Sequence, residues 1–203
     1  RAFWDVIRRS IGADADKAML DGAAVARGGL LSVTGPQNGG PHLPGAVVAD
    51  TSGAMHLALG IVTALLARER GAGGQRVQTS ALGTQLWLQQ WELTHVSMTG
   101  QDLQADANHH PNIRGPYGVY PTKDGGAIML ATTMENEAWD QFCLFAELPE
   151  VAVDPRLQTP GRRLGEALND VDSDYFRERM TEAFAKKTAA ELSLIHISEP
   201  TRP

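Results

Sequence analysis

Cysteine is nearly absent from this 203-residue chain: Cys143 is the only one. A lone thiol cannot close an internal disulfide or build a cysteine-only zinc site, so a reducing cytoplasm is the expected compartment. Positive charge is scarce too, with 18 Lys and Arg against 24 Asp and Glu and a net charge of −6. That balance excludes a general binder of nucleic acid or anionic membrane, while leaving room for a local basic pocket. The chain starts at Arg1, without Met or a basic-then-apolar leader. It reads as having no uninterrupted apolar run of the ~18 residues that span a bilayer, so no membrane partner is expected. Phosphate-loop and serine-hydrolase motifs are missing, since neither G-x-x-x-x-G-K nor G-x-S-x-G occurs. Metal-ligand spacing is missing as well. His109 and His110 are adjacent with no spaced partner, and His42, His56 and His95 are scattered. The run Asp170-Asp172-Asp174 has Tyr175 and Thr181 where a calcium loop needs glycine and glutamate. No metal is expected.

What is present is a globular composition, 42% hydrophobic and 21% charged, with 21 glycines and 11 prolines to make turns. The stretch Ala54–Ala67 is apolar almost all round, which predicts a buried helix over 51–70, with Asp50, Thr51 and Ser52 as capping candidates and Gly71 as its stop. A short strand at Gln75–Thr79 and a second helix over Ala81–Met98 follow, with Trp87 and Trp91 read as core. After Gly100 the chain turns polar, and a domain boundary is placed there. Strands at Tyr117–Tyr120 and Ala127–Thr132 flank the turn Lys123–Gly126. Helices are expected over Glu135–Ala146, with Cys143 on its apolar face, and over much of Leu164–Lys187.

Two stretches could carry chemistry. Asp50 follows Ala46-Val47-Val48-Ala49 and opens the long helix. Backbone N–H groups and the helix dipole keep a carboxylate there ionised, and small neighbours such as Gly53 leave it open to attack an activated acyl group. On position alone an ordinary N-cap aspartate is the simpler reading. The glycine turn Gly71–Gly74 ends a helix instead of opening one, so it is not a dinucleotide fingerprint. The loop from His109 to Tyr117 combines imidazoles, the cation of Arg114, the flexible Gly115 and the phenol of Tyr117 at the domain junction. A substrate loop and a hydrophilic linker are both open there.

Together, the segments Asp50–Gly60, Ala64–Arg70 and Gly74–Val77 resemble the core signature of the family III CoA-transferases. That family includes formyl-CoA transferase, carnitine CoA-transferase and the α-methylacyl-CoA racemases. Arg27-Gly28-Gly29-Leu30, Thr34-Gly35, Pro116-Tyr117, Lys123-Asp124-Gly125, Asp154-Pro155-Arg156 and Arg162-Arg163 agree in order. The resemblance spans about Asp16 to Glu191; the first dozen residues match poorly, and residues 192–203 resemble a translated sequencing-adapter tail.

The resemblance implies an α/β fold, in which 1–100 form the last part of a Rossmann-like CoA-binding large domain and 101–191 a small α+β domain. It places the catalytic aspartate at Asp50, contacts to CoA at Gly28, Gly29 and Ala81, and a substrate loop at Arg114, Gly115 and Tyr117. It further implies an acyl-CoA donor, a carboxylic acid acceptor, coenzyme A as substrate with no permanently bound cofactor, and an interlocked homodimer. The racemase branch uses a histidine in a Gly-His-Asp segment that aligns with Met19-Leu20-Asp21, and leucine at position 20 cannot carry a proton. Transfer is therefore expected over racemisation; a non-catalytic CoA-binding module is the rival from another class. On this reading the chain is an internal piece, inactive alone, with the long apolar helix left uncovered.

Overall fold

In a computed structural model, residues 19–193 are described and form two compact units that divide between Asp106 and Ala107. The expectations for the first dozen residues and for 194–203 lie outside the described residues.

The regular elements described in the first unit are helices and helical turns, joined by irregular segments. Helix α1 spans Asp21–Arg27 and is followed by a tight 3-10 turn at Leu30–Val33. The long helix α2 spans Val48–Ala67 and unwinds through a wider turn at Arg68–Ala72, where Gly71 takes φ +92°. That left-handed conformation favours glycine and ends the helix where the sequence predicted. Helices α3, Ala81–Leu88, and α4, Gln90–Thr99, divide the expected single helix at Gln89. Ser80 caps α3, its Oγ accepting from the Gly83 N–H at 2.9 Å. The strand expected at Gln75–Thr79 is absent from the sheet pairing of the described residues. A small apolar cluster of Met19, Ala24, Val25 and Ala49, with Ala81 against it, holds α1, α2 and α3 together.

Helix α2 differs from the expected buried helix. Only Ala49 and Leu57 are buried, while Met55, Leu59, Ile61, Val62, Leu65 and Leu66 are exposed. Trp87 and Trp91, expected in the core, are more than half exposed at 55% and 53%. Apolarity on every side predicts burial only when every side has something to pack against, and α1 and α3 cover one flank. The stretch Val48–Ala72 is also long and apolar enough to cross a membrane by length and composition, with a mean hydropathy of 1.3. This corrects the sequence expectation, because His56, Gly60 and Thr63 interrupt the run without lowering its average far enough.

The second unit has a genuine core. Strands β1, Gly118–Pro121, and β2, Ala127–Leu130, pair antiparallel with Gly118 opposite Leu130 and Pro121 opposite Ala127. Helix α5, Asn136–Phe145, contributes Trp139, Phe142 and Cys143. The short helices α6, Pro149–Ala152, and α7, Pro160–Arg163, flank a 3-10 turn at Pro155–Leu157. Helix α8, Asp170–Phe184, adds Phe176, Met180 and Phe184 to the same cluster, and α9, Ala189–Ser193, adds Leu192. Asn169 caps α8 by accepting from the Asp172 N–H, so the acidic run opens this helix. Leu192, read from the sequence as the first tail residue, is fully buried in this core. Cys143 is fully buried, and burial pushes its thiol up to about 12, which makes it an inert core group.

Candidate active site

Asp50 lies in the first turn of α2, after the N-cap residue Val47, and its side chain is exposed. The expected capping role is therefore not the one it plays. Val47 has no side-chain acceptor, and the open N–H groups of Ala49 and Asp50 both donate to Asp21 Oδ1, at 2.7 and 3.2 Å. Asp21, the first residue of α1, thus caps α2 from across the helix pair. Among the described residues, the Asp50 carboxylate has no hydrogen-bond or ion-pair partner of its own. Carboxylate oxygens free of partners can attack an electrophile; oxygens spent on capping cannot.

Polar side chains tie the neighbouring helices to one another. Ser52 Oγ lies 3.3 Å from Thr84 Oγ1 and accepts from Gln85 Nε2 at 3.2 Å, tying α2 to α3. Gln89 Nε2 donates to the Gly28 carbonyl at 2.9 Å and to the Gln85 carbonyl at 3.1 Å, tying the end of α3 to the end of α1. Gln85 and Gln89 are buried, so these bonds operate away from water, where a lost partner is costly. His56, one turn along α2, sets its Nδ1 2.8 Å from the Ser52 carbonyl and meets Trp87 edge-on, with ring centroids 4.7 Å apart.

Gly28, Gly29 and Ala81 lie in the same unit as Asp50. Gly28 is buried against α3, where a β-carbon would stand 2.6 Å from Gln85 Cβ; this explains the glycine by packing. Gly29 takes φ +87° and turns the chain from α1 into the 3-10 segment. Both glycines edge a cavity of about 250 Å³ bordered by Ser32, Gln89, Glu92 and Leu93. Ala81 is half-buried and packs toward Ala49.

Arg114, Gly115 and Tyr117 lie in the second unit, and the loop that carries them is built into it. Tyr120 donates its hydroxyl to the Pro116 carbonyl at 2.7 Å, and Arg177 donates to the Ile113 carbonyl at 2.9 Å. Gly115 is buried, Tyr117 half-buried, and the exposed Arg114 pairs with Asp170 at 3.2 Å. Both ends of the Asn112 side-chain amide are buried with no hydrogen-bond partner among the described residues. These constraints fit an ordered loop better than a hydrophilic linker.

The arginines of the second unit have structural work. Arg163 is fully buried and donates to the carbonyls of Thr132, Met134 and Leu157 and to Asn136 Oδ1, with its guanidinium 5.1 Å from the Trp139 ring centre. Arg156 is held by Asp154 and Asp172. Among the described residues no group of three or more His, Cys, Asp or Glu side chains is placed to hold a metal ion.

The sequence model of CoA-transferase family III matches residues 9–198. The chain belongs to that family. An acyl-CoA transferase of Fusarium pseudograminearum is 35% identical over 143 residues, covering 68% of this chain and 30% of its own length. A succinyl-CoA:mesaconate CoA-transferase of Haloarcula hispanica is 31% identical over 135 residues, 66% of this chain and 33% of its own. A crystal structure of a CaiB/BaiF family protein from Brucella suis superposes with a TM-score of 0.67 at 21% identity, over 95% of this chain and 48% of that one. The chain thus has the CaiB/BaiF fold, and it spans about a third of the length of these curated relatives and about half of the solved chain.

Proposed function

We propose that this chain is the Asp50-bearing part of a CoA-transferase that moves CoA from an acyl-CoA to a carboxylic acid through a covalent aspartyl intermediate. The observation that carries this reading is the exposed Asp50 carboxylate, set in the first helical turn of α2 while Asp21 takes the capping donors. Membership of the family and relatives named as CoA-transferases support it.

The chemistry balances without an added proton, metal or oxidant. An Asp50 oxygen attacks the donor acyl carbon, the C–S bond breaks, and CoA leaves as thiolate from a mixed anhydride. The thiolate then attacks the Asp50 side-chain carbonyl carbon, expels the first carboxylate and forms an aspartyl-CoA thioester. The acceptor carboxylate attacks that carbonyl carbon, releases the thiolate and forms the second anhydride. Thiolate attack on the acceptor acyl carbon completes the transfer and restores Asp50. Leu20 precedes Asp21 and has no titratable group, which favours transfer over racemisation at an α-carbon.

Coenzyme A is a substrate on this reading, and no permanently bound cofactor is required. The exposed apolar face of α2 with Trp87 and Trp91 is read as a surface covered within the complete protein and its homodimer, and not as a membrane span. The single buried cysteine is in keeping with a cytoplasmic setting. By the same reading, the 203-residue chain alone does not catalyse transfer. Purified chain that moves CoA between succinyl-CoA and a free carboxylate would overturn that part. The nucleophile is tested by trapping with hydroxylamine in the complete protein: an acyl-hydroxamate at Asp50 that is lost in Asp50→Ala supports the reading. Trapping at another residue overturns it.

A further inference from the structure

We infer that Asp21 is a positioning residue for the Asp50 nucleophile, an inference that rests on the function proposed above. A helix that starts after valine has two ways to satisfy its first N–H groups: a carboxylate of its own first turn can fold back, or an acceptor can come from elsewhere. In this chain Asp21 Oδ1 comes from elsewhere and takes the Ala49 and Asp50 N–H groups together, at 2.7 and 3.2 Å. The contact is anchored, because Asp21 opens α1 while Ala24 and Val25 of α1 pack on Ala49 in the same small cluster.

The consequence for Asp50 is that its oxygens are not drawn onto its own helix end, which leaves their lone pairs unspent for attack on an acyl group. Removing Asp21 frees the N–H groups, and the flexible carboxylate nearest to them is Asp50 itself. The nucleophile then becomes its own cap.

The test compares Asp21→Ala and Asp21→Asn in the complete protein, with succinyl-CoA as donor. Asparagine keeps an accepting oxygen at the same reach; alanine removes it. Asp21→Ala is expected to lower kcat about 30-fold with KM for the donor changed less than about threefold, and Asp21→Asn to recover most of that loss. Unchanged kcat in Asp21→Ala overturns the inference. If the alanine variant does not fold, the asparagine variant decides alone: a loss of 30-fold or more in soluble Asp21→Asn overturns it too. Asp50→Ala separates the two claims, since an active Asp50→Ala protein overturns the nucleophile itself and not the cap.

Discussion

The backbone carbonyl of Arg163 sits against the α-carbon of Gly115, in the space a β-carbon at that position would need. Arg163 cannot retreat, because its guanidinium is fixed by three backbone carbonyls and Asn136. Gly115→Ala is therefore expected to destabilise the second unit by about 2–3 kcal/mol, as overpacking against rigid backbone does. Urea unfolding followed by the fluorescence of Trp139 measures this; an alanine variant within experimental error of the parent would contradict the packing.

Acid should weaken the same unit. The Arg156 guanidinium holds the Asp154 carboxyl below its ordinary range, Arg179 does so for Glu150, and Lys187 for Glu147. Groups with depressed folded-state values contribute stability that is fully present above the unfolded value and is lost as pH falls through the folded one. Urea midpoints should be flat down to about pH 5 and decline below about pH 4, the ordinary carboxylate range. Asp154→Asn is expected to be less stable at neutral pH and to show a shallower acid decline. A steeper decline in that variant would contradict the sign.

The apolar face of α2 is expected to make the isolated chain self-associate. Met55, Leu59 and Val62 are 70%, 67% and 62% exposed and share that face with large neighbours. Replacing Leu59 and Val62 together with glutamate should raise the soluble monomer fraction in sedimentation and reduce binding of an apolar dye several-fold, with little change in helical circular dichroism. Unchanged association in that double variant would place the sticky surface elsewhere.

Elements defined by nearby residues were legible in the sequence: the hairpin around Lys123–Gly126, helix α5 with its apolar stripe, and the glycine stop of α2. Features that depend on distant partners were not. The cap of α2 comes from Asp21, 29 positions before Asp50, so the sequence assigned the job to Asp50 itself. The burial of α2 could not be read either, because periodicity reports which faces are apolar and not what covers them. The break between α3 and α4 rests on the buried Gln89, whose side chain reaches the Gly28 carbonyl 61 positions away. One signal for the cap was present: a valine at the start of a long helix, with no acceptor in its side chain, implies an acceptor supplied from elsewhere. The arginines of the Asp154-Pro155-Arg156 and Arg162-Arg163 segments could be matched as motifs, but the internal carbonyl cage of Arg163 required the fold.

On the proposed mechanism, Asp50 carries the acyl and CoA groups in turn. Incubating the complete protein with succinyl-CoA and hydroxylamine, then mapping the modified peptide by mass spectrometry, tests it most directly. A hydroxamate on Asp50 is expected, dependent on succinyl-CoA and abolished in Asp50→Ala together with CoA transfer. A hydroxamate on a different residue, or CoA transfer that survives in Asp50→Ala, would contradict it.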